Sequence, residues 1–240
     1  MTIDLNSDMG ESFGAWSIGA DAELLRVVSS ANVACGAHAG DASIMRRTVR
    51  AAMAAGVSVG AHPGFPDLAG FGRRELRMTA GELEDSVIAQ IAALAGVAAV
   101  EGVRLTHVKA HGAMYNMAAN DASMADAIAA AIAAVDRSLV MVGLPASALE
   151  RAAAKAGLAF AAEGFADRAY DTDGTLVPRT RPGALITDPA QAADGALRMA
   201  REGRVRTICI HSDTPGAAAI GAAVRRAFDS HGIPLAGLRA

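Results

Sequence analysis

The sequence predicts an α/β fold, a single (β/α) barrel of seven parallel strands, and three observations support this prediction. Short β-branched runs alternate with longer helical runs along all 240 residues, as in a parallel sheet covered by helices. In four of the predicted strands, aliphatic side chains alternate with polar or small side chains, so that each kind lies on its own face of the strand. A parallel sheet covered on both faces would be apolar on both, so a closed barrel explains the pattern better. Polar residues also follow the strand ends, where barrel active sites lie.

The strands and helices are predicted from composition and from boundary signals. The predicted strands are residues 2–5, 32–35, 57–60, 104–109, 139–142, 158–162 and 207–210. The predicted helices are residues 21–30, 42–55, 81–101, 123–134, 147–156, 189–202 and 216–230. Thr79 with Glu82 resembles a capping box, and Asp188 precedes Pro189 at a first helical position. Because no linker, repeat or composition shift divides the chain, residues 1–240 are expected to form one β/α barrel domain.

Composition and charge narrow the class of protein. The net charge is −3 and no basic stripe carries interleaved aromatics, which argues against a nucleic-acid partner. We expect that no apolar run reaches membrane-spanning length, residues 1–4 show no signal-peptide pattern, and the protein is therefore expected to be cytoplasmic. Cys35 and Cys209 lie in apolar, strand-like stretches and are predicted to be buried free thiols. Lys109 and Lys155 are the only lysines among 22 basic residues, so each retained lysine is of interest.

Polar side chains collect on one parity of the predicted strands and just beyond their ends. The residues that share this parity are Asp4, Asn6 and Asp8; Ser58 and His62; His107, Lys109 and His111; and Cys209, His211 and Asp213. Glu11, His38 and Asp41 follow the first two strands closely. We interpret His107, the deepest histidine, as a hydrogen-bonded core residue. Lys109 is predicted to be functional, because a buried ammonium flanked by histidines is unfavourable without a role.

Several common motifs are missing from the sequence. It contains no G-x-x-x-x-G-K-[ST] phosphate loop, no G-x-S-x-G elbow, and no H-E-x-x-H or paired-cysteine metal motif. Asp8, His38 and His62 could hold a divalent metal, but their spacing does not establish one. Two long loops, residues 63–78 and 163–183, follow strands and are expected at the barrel mouth. The run at residues 171–174 is interpreted as a solvated turn rather than a calcium loop.

Across these segments the sequence resembles the LamB/YcsF family, which forms the A subunit of bacterial 5-oxoprolinase. The matching segments are residues 3–11, 30–41, 60–67, 71–74, 107–116, 163–170, 176–179 and 211–213. They span nearly the whole chain in order, and the departures, at Ala37 and Ser212, remove no polar site residue. The resemblance implies a barrel related to the polysaccharide deacetylase-like barrel. It also implies opening of 5-oxo-L-proline to L-glutamate, coupled to hydrolysis of ATP with its Mg²⁺, and two partner subunits, B and C.

The expected chemistry assigns roles to the polar residues. Phosphorylation can activate the poorly electrophilic lactam carbonyl, after which water must add and the ring nitrogen must leave protonated. Asp8, or alternatively Glu11, is expected to deprotonate the water. Lys109 is expected to stabilise negative charge on the carbonyl or phosphoryl oxygen. His111 or His211 is expected to protonate the leaving nitrogen. The catalytic candidates are therefore Asp8, Glu11, Lys109 and His111.

The remaining polar residues of the matching segments are candidates for substrate binding, and no tightly bound cofactor is expected. They are Asn6, Asn32, His38, Asp41, His62, Arg73, Asn116, His211 and Asp213. Arg73 is the candidate for the substrate carboxylate, because a guanidinium matches that group with two hydrogen bonds. Two other interpretations remain open. One is a metal-dependent, deacetylase-like amidohydrolase that acts without ATP. The other is a non-catalytic lactam-binding subunit.

Overall fold

Seven parallel strands close into a barrel in the computed structural model, which describes residues 2–172 and 174–239. Neighbouring strands follow the order of the chain, and β7 pairs with β1 to close the ring. The strands are β1 (Asp4–Met9), β2 (Ser30–Ala34), β3 (Ser58–His62), β4 (His107–Lys109), β5 (Val140–Gly143), β6 (Phe160–Phe165) and β7 (Thr207–Cys209). The predicted fold class and strand number are therefore confirmed.

Helices surround the barrel and connect successive strands. They are α1 (Asp21–Leu24), α2 (Ala42–Ala54), α3 (Ala80–Val100), α4 (Gly112–Asn120), α5 (Ala122–Val135), α6 (Ala148–Ala156), α7 (Pro189–Glu202) and α8 (Ala217–Ser230). The capping box of Thr79 and Glu82 is present at the start of α3, and Asp188 caps α7. Both predicted boundary signals therefore begin helices.

Several predicted element bounds differ from the observed ones, most clearly in the first helix and the first strand. The helix predicted at 21–30 ends at Leu24, because Ser30 already belongs to β2 and pairs with Asn6. The first strand does not stop at residue 5 but continues to Met9. Helix α4 was not predicted, and it meets α5 at a bend of 117°. Asp173, in the predicted solvated turn, lies outside the described residues.

The alternation of polar and apolar side chains predicted along the strands matches the inside and the outside of the barrel. Leu5 and Met9 of β1 point outward into the main hydrophobic core beneath the helices. Asp4, Asn6 and Asp8 of the same strand hydrogen-bond to other strands inside the ring. Each polar face is therefore directed to the barrel interior, as a closed sheet requires.

The C-terminal segment packs against the barrel. Val140 and Val142 of β5 form a separate buried cluster with Ala161 and Leu238, so β5 is an exception to the polar interior. The Leu238 backbone N–H donates to Ser30 Oγ at 3.0 Å.

Helix α3 is long and apolar enough, by length and composition, to cross a membrane. This qualifies the expectation that no segment of the chain has that character. In the structure one face of α3, including Val87, Ile91 and Leu94, packs into the protein core. A core helix passes the same length and composition test, and α3 serves here as one helix of the barrel wall.

Candidate active site

The middle of the barrel interior contains a fully paired group of polar side chains, which we call the floor network. Its members are Asp4, Asn6, Asn32, His107 and Thr207, all buried. Asn6 Nδ2 donates to Thr207 Oγ1 at 2.6 Å, and Asn32 Nδ2 donates to Asn6 Oδ1 at 2.7 Å. His107 Nε2 lies 2.8 Å from Asn32 Oδ1, which confirms its interpretation as a hydrogen-bonded core histidine. Asn6 and Asn32, predicted to bind substrate, thus lie beneath the mouth and support it.

Burial explains why these groups must be paired. Burial raises the pKa of the Asp4 carboxyl to about 6, although Thr207, Ser30 and Ser29 donate to it and oppose the rise. Burial lowers the pKa of His107 to about 3, with the charge of Lys109 adding to the effect. His107 is therefore neutral at physiological pH.

Directly above the floor network lies the lysine cluster, in which one ammonium on β4 contacts side chains of β1, β6 and β7. It consists of Lys109, Asp8, Glu163 and Cys209, all buried. Lys109 Nζ lies 2.9 Å from Asp8 Oδ1, 2.9 Å from Glu163 Oε1 and 3.0 Å from Cys209 Sγ. The ammonium donates hydrogen bonds to Asp8 and Cys209 and forms an ion pair with Glu163. The thiol is the weakest acceptor of the three and the one most readily displaced by a substrate oxygen.

The charges of the lysine cluster stabilise one another. Burial by itself would lower the pKa of Lys109, but Asp8, Cys209 and Glu163 hold it well above its usual value. Burial would raise the pKa of Asp8, but His62 and Lys109 hold it well below its usual value. Lys109 is therefore a permanent buried cation, and Asp8 is a permanent carboxylate at neutral pH.

Beside the lysine cluster lies the histidine cluster, which consists of Glu11, His38, His62 and His111. Glu11 Oε1 is 3.2 Å from both His38 Nε2 and His111 Nδ1. His62 Nε2 is 3.0 Å from His111 Nδ1 and 3.4 Å from Asp8 Oδ2. The rings of His38 and His111 stack with their centroids 3.7 Å apart. The four nitrogen and oxygen atoms that face each other all lie within 4.8 Å, a spacing compatible with a metal ion.

Burial and mutual contacts also set the protonation of the histidine cluster. Burial lowers the pKa of His38 to about 3, helped by the charge of His111, and burial lowers the pKa of His111 as well. His62 differs, because the Asp8 carboxylate outweighs the effect of burial and raises its pKa. Burial opposes ionisation of Glu11, but its contacts with His111 and His38 hold its pKa well below the usual value.

Across the mouth, His211 is oriented by a buried carboxylate. His211 Nδ1 lies 3.0 Å from Asp167 Oδ1, and Thr214 Oγ1 donates to Asp167 Oδ2 at 2.5 Å. Burial would raise the pKa of Asp167, but His211 and Thr214 hold it below its usual value. Because Nδ1 donates to Asp167, the other ring nitrogen, Nε2, faces Asp8 Oδ2 at 3.9 Å.

The rim of the mouth carries an arginine pair around one carboxylate. Arg73 Nη2 is 2.6 Å from Asp213 Oδ2, and Arg179 Nη1 is 3.5 Å from the same oxygen. The guanidinium of Arg73 also lies over the Phe71 ring, 4.9 Å from its centroid. Two predicted substrate-binding residues, Arg73 and Asp213, therefore pair with each other.

Two predicted site residues lie outside this arrangement. Asp41 caps α2, accepting from the backbone of Ser43 at 2.9 Å and of Gly14 at 2.8 Å. Its carboxylate thus takes part in local structure, and its role as a substrate ligand stays a prediction. Asn116 lies exposed on α4, outside the hydrogen-bonded clusters. Its placement gives no support to a role in substrate binding.

Sequence reasoning missed Glu163 and Asp167 as site residues. A usable signal existed, because Glu163, Phe165 and Asp167 share one parity opposite Gly164 and Ala166. The end of β6 therefore carries the same polar pattern as β1 and β4. The sequence prediction places these residues in a long loop rather than at a strand end.

A second group of metal-ligand atoms, from Asp8, Cys209 and His211, also lies within 4.8 Å. The ammonium of Lys109 already contacts Asp8 and Cys209. The ammonium of Lys109 therefore already neutralises charge among these three residues. In the described ion pairs, by contrast, no ammonium or guanidinium contacts the histidine cluster. Both cysteines are free and buried, as predicted.

The fold and the mouth define a parallel β/α barrel with its polar centre at the carboxyl ends of the strands. The same fold occurs in a peptidoglycan N-acetylglucosamine deacetylase catalytic domain from Eubacterium rectale, with a TM-score of 0.56. That alignment covers 100% of this chain and 89% of the other at 10% identity, so it shows the fold alone. Over residues 3–240 the sequence matches the LamB/YcsF family, to which this chain belongs.

Relatives with known names extend over the whole chain. The 5-oxoprolinase A subunit of Methylococcus capsulatus is 52% identical over 99% of this chain and 96% of its own. The 5-oxoprolinase A subunit of Bordetella pertussis is 53% identical over 97% of each chain. A crystal structure of a lactam utilization protein from Thermus thermophilus has a TM-score of 0.94 and 46% identity, covering 99% of this chain and 100% of that one.

Proposed function

We propose that this chain is the lactam-hydrolysing subunit of a multi-subunit, ATP-dependent 5-oxoprolinase, which opens 5-oxo-L-proline to L-glutamate. The observation that carries the proposal is the buried ammonium of Lys109, held by Asp8 and Glu163 at the mouth of the barrel. The names of relatives at about 50% identity support the substrate and the subunit role. Partner subunits B and C would supply some or all of the site for ATP and its Mg²⁺.

The electrostatics suit an activated lactam. Phosphorylation of the carbonyl oxygen makes the ring carbon electrophilic, and negative charge then grows on the oxygens as water adds. A fixed buried cation stabilises such charge strongly, because little solvent screens it. Lys109 would redirect the hydrogen bond that it donates to Cys209 Sγ toward the substrate oxygen. Its ion pairs with Asp8 and Glu163 would keep the ammonium in place.

The geometry favours one choice among the predicted proton-transfer groups. Asp8 Oδ2 is free of Lys109 and faces the mouth between His62 and His211, at 3.4 and 3.9 Å from their Nε2 atoms. His111 Nε2 donates to Phe71 O at 2.8 Å, and His111 Nδ1 faces His62 Nε2 and Glu11 Oε1 at 3.0 and 3.2 Å, so neither nitrogen is directed at a substrate. We therefore assign Asp8 to hold and deprotonate the water, and His211 Nε2 to take that proton from Asp8 and pass it to the leaving ring nitrogen.

The test is an assay of glutamate formation from 5-oxoproline and ATP with purified partner subunits B and C. Omission of either partner, or of this chain, should abolish the activity. Asp8→Asn should lower turnover by roughly 100- to 10,000-fold, the range of a lost general base. The matched control is Asp126→Asn, because Asp126 is an exposed carboxylate that pairs with Lys155 at 2.6 Å. Full activity without this chain, or near-normal turnover of Asp8→Asn, would contradict the proposal.

The acceptor-rich histidine cluster favours a second candidate, a metal-dependent amide hydrolase that needs no nucleotide. Hydrolysis of 5-oxoproline or of a simple acetamide by the isolated chain, without ATP and lost on chelation, would support this alternative. Calorimetry with 5-oxoproline addresses the non-catalytic interpretation. A binding-only subunit would bind the lactam, and Asp8→Asn would leave turnover of the full assembly unchanged.

A further inference from the structure

The histidine cluster contains lone pairs that point at one another, and their direction follows from the backbone. His62 Nδ1 lies 2.7 Å from the carbonyl oxygen of Lys109. His111 Nε2 lies 2.8 Å from the carbonyl oxygen of Phe71. A carbonyl oxygen carries no hydrogen, so each of these ring nitrogens must be the donor. In the neutral rings, His62 Nε2 and His111 Nδ1 therefore carry lone pairs, and they face each other at 3.0 Å.

Two carboxylate oxygens face the same small space. Glu11 Oε1 is 3.2 Å from His111 Nδ1 and 3.9 Å from His62 Nε2, and Asp8 Oδ2 is 3.4 Å from His62 Nε2. Ligand atoms at about 2.0–2.2 Å from a tetrahedral zinc ion lie roughly 3.3–3.6 Å from each other. The observed separations among Glu11, His62 and His111 bracket this edge length, so an ion fits between them.

His38 has a different part in the cluster. Its Nε2 is 3.2 Å from Glu11 Oε1, whereas its Nδ1 is buried without a hydrogen-bond partner. A hydrogen on Nδ1 would have no acceptor, so the hydrogen belongs on Nε2 and is donated to Glu11. His38 therefore orients the Glu11 carboxylate, as outer-shell partners of metal ligands do.

The surroundings of the facing lone pairs also suit a cation. The buried carboxylates of Asp8 and Glu11 lie beside them, and Lys109 contacts Asp8 but not Glu11 among the described ion pairs.

We infer that Glu11, His62 and His111 bind a divalent transition-metal ion of the Zn²⁺ class, with a fourth position open toward Asp8. Imidazole and carboxylate donors without a thiolate suit Zn²⁺, Mn²⁺, Co²⁺ or Ni²⁺. The backbone carbonyls of Lys109 and Phe71 fix the two rings, as is usual for metal-binding histidines. This ligand set replaces the set of Asp8, His38 and His62 considered from the sequence. Three protein ligands with an open position are typical of catalytic rather than structural zinc sites.

The test measures metal binding by the whole chain, prepared without a histidine tag and stripped with a chelator. Zn²⁺ titrated by calorimetry should bind with a stoichiometry of one ion per chain, and Co²⁺ should give the strong visible absorption of a four- or five-coordinate site. Glu11→Gln, His62→Gln and His111→Gln should each weaken Zn²⁺ affinity by more than about 100-fold, beyond the range typical of outer-shell partners.

Two further variants make the test specific. His38→Gln should weaken Zn²⁺ affinity by roughly 10- to 100-fold, because His38 acts through Glu11. His231→Gln, the matched control on an exposed histidine after α8, should leave affinity unchanged. If ligand variants fail to fold, as judged by circular dichroism, the Co²⁺ spectrum of the unaltered chain decides the question. No saturable Zn²⁺ binding, a six-coordinate Co²⁺ spectrum, or equal effects of His62→Gln and His231→Gln would overturn the inference.

The inference stands apart from the proposed 5-oxoprolinase activity. The binding test uses no ATP, lactam or partner subunit, so a negative result leaves that activity untouched. Conversely, a bound metal ion in a chain that does not support glutamate formation would refute the proposed function and leave this site in place.

Discussion

The floor network and the mouth above it are both polar and buried, yet they differ in how completely their groups are paired. In the floor network, Asp4 accepts from Ser29, Ser30 and Thr207, and Asn32 joins Asn6 to His107. At the mouth, by contrast, buried atoms without a partner include His38 Nδ1, Glu163 Oε2 and Asp213 Oδ1.

This difference distinguishes the residues that support the fold from the residues that are available for chemistry. A fully paired buried network fixes the geometry of its members, because any other arrangement leaves polar groups unsatisfied. Incomplete pairing is unfavourable in the isolated protein, but a ligand can complete it. The floor network is therefore expected to govern stability, and the mouth is expected to govern activity and binding.

The largest effect is expected from Lys109→Met, which removes the cation at the mouth. Turnover of the full assembly should fall by roughly 1000-fold or more, the scale of losing a group that stabilises transition-state charge. Unfolding in urea should also become easier by roughly 3–5 kcal/mol, because Asp8 and Glu163 would lose their buried partner. Lys155→Met is the matched control, since Lys155 is exposed on α6. Near-normal turnover of Lys109→Met would show that the ammonium has no catalytic role.

The next effect tests the floor network through the glycine beside it. An ideal Cβ at Gly60 would lie 2.3 Å from the His107 ring, which Asn32 and Thr106 hold in place. Gly60→Ala should therefore lower the free energy of unfolding by roughly 3 kcal/mol or more, or prevent folding.

The control for this substitution is Gly96→Ala in α3, where an added Cβ meets no atom within 4 Å. This helical position should gain roughly 0.5–1 kcal/mol, because alanine loses less backbone entropy. Chemical denaturation of both variants provides the comparison. Equal stability of the two would mean that the packing around His107 is looser than the structure indicates.

The smallest effect is the pH dependence that the floor network adds to stability. The pKa of Asp4 is raised by burial from 3.8 to about 6, so its folded form binds a proton more tightly than its unfolded form. The stabilising contribution is complete below pH 3.8 and is lost as the pH rises through about 6. Roughly 2–3 kcal/mol is involved, at about 1.4 kcal/mol per pKa unit.

Asp4→Asn should remove this dependence. Unfolding in urea at several pH values between 4 and 7 should show a flatter profile for the variant than for the parent protein. Asp21 contributes a similar slope, because burial raises its pKa to about 6 as well, so the profile should not become fully flat. An unchanged slope in Asp4→Asn would show that Asp4 is not held as described.

Sequence reasoning predicted the barrel and most of the mouth because both depend on local pattern. Alternation along β1 and β4 fixes which side chains point inward, and closure brings strand ends together, so Asp8, Lys109 and His62 could be grouped in advance. The capping role of Asp41 could not be read in advance, because a carboxylate before a helix looks the same in the sequence whether it caps that helix or faces a ligand.

What the sequence by itself determined is the parity of each strand, the order of strands and helices, and the identity of the polar groups at the strand ends. What only the tertiary structure decided is which of those groups touch. The pairing of Asp167 with His211 and the facing lone pairs of His62 and His111 depend on contacts between residues more than 40 positions apart. Strand pattern sets the direction of a side chain, but distances of a few tenths of an ångström, set by barrel closure and loop packing, decide its chemistry.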